Sequence, residues 1–237
     1  MSALVASLFA VGASPAAAVE GEVDAPPVGK ACVGDALDDR GFTDLGSLDH
    51  AVSNINCLAY YGISAGRTAD TFDPSANVTR SEMALFLYAA ANLMGVDLMG
   101  GDMMADYGDI AELGENRQNA INALARNGIL SGRGDMAFEP FADITRAEMA
   151  VALVALLDKT PGAPVQKNSA GEYLVGPDPG QEPDDYFADS RSSQPRHIDD
   201  AISAAYELGI TSGVGNGNFG PNGTVPRRTW PRSSSMR

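Results

Sequence analysis

The chain has 237 residues, 44% of them apolar, enough to fill the core of one larger domain or two small ones, so wholesale disorder is excluded. Sixteen basic residues against thirty-one acidic ones leave a formal net charge of -15. That balance excludes bulk attraction to nucleic acid or an anionic membrane, so any anionic partner must be held by local cations.

At the N-terminus an apolar run from Ala3 to Ala13 precedes Ala16-Ala17-Ala18, a small-residue pattern that suits signal-peptidase cleavage before Val19. Residues 1–18 are therefore read as a signal peptide and the protein as exported, with no membrane insertion of the mature chain. The run is too short for a transmembrane helix. No Lys or Arg precedes it, so the basic region of a leader is expected upstream of Met1. Residues 19–41 form an N-terminal segment carrying Cys32. The chain's two cysteines, Cys32 and Cys57, read as a disulfide in an exported protein, tying this segment to the first helix. Two Cys and two distant His do not make a zinc site, and neither metal nor cofactor is expected.

Beyond residue 41 the chain repeats itself three times, over 42–94, 107–159 and 187–237, separated by a spacer at 95–106 and a Pro/Gly-rich, acidic stretch at 160–186 that reads as a flexible linker. Each copy opens with an aromatic two residues before an aspartate: Phe42 and Asp44, Tyr107 and Asp109, Phe187 and Asp189. A run with helical spacing follows (Val52, Ile55, Leu58 and Ala59; Ala120, Ile121, Leu124 and Ala125; Ile198, Ala201, Ile202, Ala205 and Leu208). Each run stops at Gly-Ile, at Gly62, Gly128 and Gly209. A second glycine comes four residues on, at Gly66, Gly132 and Gly213, then aromatic-x-Pro at Phe72, Phe138 and Phe219, and an arginine at Arg80, Arg146 and Arg227. Copies one and two continue into a second helix with apolar positions at Met83, Leu87 and Ala90, and at Met149, Leu153, Leu156 and Leu157. One helical hairpin of this size cannot bury such a face, so the copies should pack on one another.

The arginines stand at the threshold of that second helix, in "VTRSEMA" and "ITRAEMA". Thr79 with Glu82, and Thr145 with Glu148, fit the capping box, in which the Thr hydroxyl accepts the N–H three residues on and the Glu reaches back. Arg80 and Arg146 remain unexplained, because a cation in the first turn opposes the helix dipole by roughly 0.3 to 1 kcal/mol. Two readings stand: an anion site beside the free N–H groups of the helix start, or a salt bridge to Asp44 or Asp109. On the first, replacing Arg80 and Arg146 together weakens ligand binding and spares the fold.

The whole pattern resembles the S-layer homology repeat, usually found in sets of three. The resemblance implies an all-α protein, three helix-loop-helix repeats packed as a pseudo-threefold helical bundle. It implies a non-catalytic module that anchors exported proteins to a cell-wall polysaccharide linked to peptidoglycan, commonly one bearing anionic pyruvyl ketals. It also implies ligand-binding roles in inter-repeat grooves for Arg80, Arg146 and Arg227, with Asp44, Asp109 and Asp189 as lesser contributors. The third copy departs from the pattern: "VPRRTWP" puts Pro226 and Pro231 where the second helix should run. The third repeat is thus expected to be incomplete, its C-terminal helix lost, and a slipped reading frame across Arg228–Ser234 would account for it.

An enzyme reading finds no nucleophile–base constellation and no residues left over for a catalytic domain. His50 and His197 each begin a first helix, as capping or groove residues, and Asp199-Asp200 read as a solvated helix face. The acidic linkers lack the ligand spacing of a calcium loop. A structural or protein-binding module, and the anchor fragment of a larger exported enzyme, remain the alternatives.

Overall fold

The structure is a computed structural model that describes residues 32–46, 48–98, 107–134, 136–176 and 183–229. The leader call at 1–18 and the loss of the last helix beyond Thr229 lie outside these residues. The protein is helical, with a single two-stranded hairpin among the described residues. The first repeat supplies α1 (Asp49–Tyr60) and α2 (Arg80–Leu93), the second α3 (Glu115–Arg126) and α4 (Arg146–Asp158), and the third α5 (Ala188–Ser193) and α6 (Arg196–Glu207).

The Gly-Ile anchors end the first helices by one mechanism. Gly62, Gly128 and Gly209 take φ of +66°, +67° and +69°, a left-handed conformation open to glycine. The following Ile63, Ile129 and Ile210 N–H groups then reach back to Leu58 O, Leu124 O and Ala205 O, each at 2.9 Å. Cys32 and Cys57 are bonded, fastening the N-terminal segment to α1.

The repeats close on one another. α2 packs against α3 and α4 against α6. Between the repeats run three short extended segments whose bridges pair Thr79 with Asp143, Thr145 with Thr224 and Asn77 with Pro226. Ile144 N–H donates to Val78 O, and Val78 N–H to Val225 O, both at 2.9 Å. These three residues are buried at the centre, at 0%, 0% and 2% exposure, and mark a pseudo-threefold axis. Around them Leu87, Ile121 and Leu124 are fully buried, each contributing about 1.5–3 kcal/mol.

The third repeat is the exception for a local reason. At the position of Thr79 and Thr145 stands Pro226, with neither hydroxyl nor N–H, and at that of Glu82 and Glu148 stands Thr229, with no carboxylate. Neither half of a capping box can form, and the segment makes a 3-10 turn, Arg227–Thr229, against α1.

Two expectations are corrected. Part of the presumed flexible linker is an ordered antiparallel hairpin, β1 (Val165–Lys167) with β2 (Tyr173–Val175), Val165 facing Val175. Val165 and Tyr173, each 4% exposed, pack into the core beside α4 and α6; burial of these two apolar side chains, not the composition of the segment, decided its order. Asp199 is not solvated. It is 6% exposed and accepts the Ser190 hydroxyl at 2.5 Å, fixing α5 to α6. In the spacer at 95–106, Val96 and Leu98 are buried, while 99–106 lie outside the described residues.

Candidate functional site

The site is built three times from the same parts. In each repeat the opening aromatic packs against the Phe of Phe-x-Pro, edge-on or tilted, with ring centroids 5.5 Å (Phe42–Phe72), 5.6 Å (Tyr107–Phe138) and 5.4 Å (Phe187–Phe219) apart. The second glycine allows this approach: a Cβ on Gly66, Gly132 or Gly213 would lie within 2.5, 2.4 or 2.7 Å of a backbone oxygen and as close to the opening ring. The opening aspartate spans the Phe-x step. Asp44 accepts from Phe72 and Asp73 N–H, Asp109 from Phe138 and Glu139 N–H, and Asp189 from Phe219 and Gly220 N–H, at 2.6 to 2.9 Å. With both oxygens so engaged, these aspartates shape the loop, and none is an ion-pair partner of Arg80 or Arg146.

The arginine that fills each cradle comes from the preceding repeat. Arg80 lies 4.7 Å over the Phe138 ring, donates from Nε to Phe138 O (2.8 Å) and from Nη2 to Ser131 O (2.6 Å). Arg146 lies 4.4 Å over Phe219 and donates to Phe219 O (2.9 Å) and Ser212 O (2.7 Å). Arg227 lies 4.5 Å over Phe72 and donates to Phe72 O (2.8 Å) and Ala65 O (3.1 Å). Repeat one thus enters repeat two, two enters three, and three re-enters one. The placement explains a cation at a helix start: its charge leaves the helix for carbonyls and a ring face in the neighbouring repeat.

At the third nitrogen the junctions diverge. Both capping boxes are formed, with Glu82 and Glu148 N–H each 3.2 Å from the Thr hydroxyl, and each glutamate has a second task. Glu148 meets Arg80 Nη1 at 2.9 Å and is gripped by Arg133 at 2.6 and 2.7 Å; Arg133 also meets Glu139 at 2.9 Å. Glu82 faces Arg227 Nη1 at 3.5 Å and Arg67 at 3.4 Å, with Arg67 on Asp73 at 3.2 Å. In the third junction the same three places hold Thr229, Val214 and Gly220. Arg146 is accordingly half-buried and forms no ion pair among the described residues, whereas Arg80 and Arg227 are 1% and 3% exposed.

Burial lowers the pKa of all three guanidinium groups, opposed by Glu148 at Arg80, Asp189 at Arg146 and Glu82 at Arg227. Burial by itself would raise the Glu148 carboxyl, but Arg133, the Thr145 N–H and Arg80 outweigh it and hold the group below its ordinary 4.5. Asp189 is likewise held below 3.8, burial being outweighed by the Phe219 and Gly220 N–H groups. Both carboxylates therefore contribute stability that is complete above those ordinary values and lost as pH falls through the lower, folded-state ones. Thermal melts should be flat from neutrality to about pH 5 and fall below it, with a shallower fall in Glu148→Gln; a Glu148→Gln profile parallel to the wild type would remove this carboxylate from the account.

The sequence singled out the three arginines, three aspartates and two capping boxes, and the structure brings each arginine to the next repeat's Phe-x-Pro loop. Arg67 and Arg133 were missed, although each directly follows the second glycine. Exposed His197 begins α6 without capping it; nothing is described of the His50 side chain. Among the described residues no helix is long and apolar enough to cross a membrane.

Comparison with known proteins places the geometry. The S-layer homology domain matches residues 41–84, 106–150 and 186–227, the three repeats in turn. Domains of this kind anchor proteins to cell-wall polymers and are themselves non-catalytic. Cell surface glycoprotein 1 of Acetivibrio thermocellus is 27% identical over 158 residues, 66% of this chain and 6% of that protein's length. With the domain matched three times over more than half of its residues, the chain belongs to the S-layer homology family.

Proposed function

We propose that the chain is a non-catalytic anchoring module that binds an anionic, pyruvylated-type cell-wall polysaccharide at its repeat junctions, and that it holds a longer exported protein at the cell surface. The observation that carries this reading is Arg146. Its Nε and Nη2 are committed to carbonyls, its ring contact fixes the guanidinium plane, and among the described residues no carboxylate forms an ion pair with it, Asp189 acting on it only at longer range. A pre-positioned guanidinium without an ion-pair partner, on a chain of net charge -15, is a local site for a sugar-borne carboxylate. Arg80 and Arg227, whose charges are answered by Glu148 and Glu82, hold the junctions closed, and Asp44, Asp109 and Asp189 hold the loops that receive them.

The test is retention on purified wall sacculi. Arg146→Gln should reduce it about tenfold or more, the loss of a charge-assisted contact, with helical content unchanged. Thr229→Glu should do the same by the opposite route: it restores at the third junction the carboxylate that Arg80 and Arg227 already meet, while melting slightly higher. Full retention by Arg146→Gln would sink the proposal, and retention indifferent to mild removal of the wall polysaccharide would favour a protein partner.

A further inference from the structure

We infer that a cavity in the third repeat binds a primary ammonium group, carried by a free diamine or by a lysine-type side chain of a peptide, with Asp199 as its most buried anchor. The inference does not depend on the anchoring reading. The cavity has a volume of about 490 Å³, within the ~300–1,000 Å³ of small-ligand sites. Its walls are the start of β2, the segment before α5, α5 itself and one face of α6. Five carboxylates line it, those of Glu172, Asp184, Asp185, Asp199 and Asp200, against two guanidinium groups, those of Arg191 and Arg196, an excess of three negative charges.

Both arginines are committed at the rim. Arg191 Nη1 meets Asp185 at 2.6 Å, and Arg196 lies 3.8 Å from Glu172 and 3.9 Å from Asp200, the two side chains being 69% and 72% exposed. Lys167 lies against the Tyr173 ring, Nζ 5.0 Å from its centroid, and does not line the cavity. Asp184 and Asp199 form no ion pair among the described residues. Asp184 is exposed and loses little by that. Asp199 is 6% exposed, and its carboxylate has a single, neutral partner among the described residues, the Ser190 hydroxyl that Oδ1 accepts at 2.5 Å. A carboxylate so far out of water is costly without a countercharge, and Oδ2 is left for a cation entering the cavity. One turn further along the same face of α6, the Ser203 hydroxyl, in a residue 2% exposed, has no hydrogen-bond partner at all.

The arrangement is particular to the third repeat. Counted back from the glycine of Gly-Ile, the places of Asp199 and Asp200 are held by Val52 and Ser53 in the first repeat and by Gln118 and Asn119 in the second, all uncharged. The hairpin that walls the cavity is the only strand pair among the described residues, and the lining shares no residue with the three arginine cradles. The cavity is therefore no by-product of the repeat. Its excess charge repels an anion. Among the described residues no three His, Cys, Asp or Glu are placed to hold a metal ion, which leaves an organic cation. An ammonium group carries a compact charge and three N–H donors, enough for Asp199 Oδ2 and for a second carboxylate nearer the rim.

The site is tested by NMR titration of the full chain with 1,5-diaminopentane and with Nα-acetyl-lysine methylamide, against the neutral 1,5-pentanediol. At least one amine should shift the backbone amide signals of Tyr173, Asp199 and Asp200 saturably while the diol leaves them in place, and the tighter of the two amines names the carrier. Asp199→Asn should weaken binding about tenfold or more, the loss of a charge-assisted contact. Asp184→Asn, at an exposed residue, should weaken it about threefold and leave the melt unchanged. Asp199→Asn also alters the bond to Ser190, so its melt is recorded, and Asp184→Asn carries the test if that variant does not fold. No saturable shift with either amine, equal shifts with the diol, or wild-type affinity in the variants that fold would overturn the site. Shifts that spread over the acidic surface without saturating would assign the effect to net charge alone and overturn it too.

Discussion

Arg80→Met should lower the unfolding free energy by about 3–5 kcal/mol, the range for removing one partner of a buried, hydrogen-bonded ion pair. The substitution deletes donors to Phe138 O, Ser131 O and Glu148 at once, together with the contact over the Phe138 ring. Two of those acceptors are backbone carbonyls left without this donor at a site 1% exposed. Arg227→Met should behave alike, while Arg146→Gln, half-buried and with no ion pair to lose, should cost about 1–2 kcal/mol. Denaturant midpoints measure all three. This order reverses the sequence-based expectation that Arg80 and Arg146 could be replaced together without harm to the fold; an Arg80→Met protein as stable as the wild type would restore it.

Gly132→Ala should be of similar size, about 3 kcal/mol or more, through overpacking. Its Cβ would lie 2.4 Å from Ala137 O and 2.5 Å from the Tyr107 ring. Neither can yield cheaply, because the Tyr107 hydroxyl accepts the Gly132 N–H at 2.7 Å and the ring is packed against Phe138. Gly62→Ala is the control. It has a φ of +66° but nothing within 4 Å of the added carbon, so only the left-handed strain of about 1–2 kcal/mol applies. Equal losses at the two glycines would mean that close approach to the opening aromatic is not what the second glycine serves.

These contrasts show which parts of the molecule its sequence exposes. Gly-Ile, the capping boxes and the apolar faces are local: each is satisfied within a few residues, and spacing alone reveals it. The fate of the arginines is not local. Arg80 is 58 residues from its carbonyl on Phe138, and Arg227 is 155 from Phe72, so no helical or turn pattern announces the pairing. The aspartates misled for a related reason, since a charged residue suggests an ionic partner when backbone N–H groups serve it as well. The hairpin at Val165–Val175 was hidden by composition, because its prolines and glycines flank the strands. Asp199 was hidden by its neighbour Asp200, which suggested one solvated pair. The non-equivalence of the three junctions was legible in principle, as Val214, Gly220 and Thr229 stand where the other copies carry charges, but only the structure shows that those positions converge on one guanidinium.

The re-entry of Arg227 into the first repeat has a mechanical meaning. In an open array each repeat touches only its neighbours, and a terminal unit can peel away alone. Here the last unit grips the first through Phe72 O and Ala65 O, so the chain is a shackle and not a stack. If the chain anchors a protein as proposed, pulling the third repeat away from the first requires breaking these bonds at Arg227.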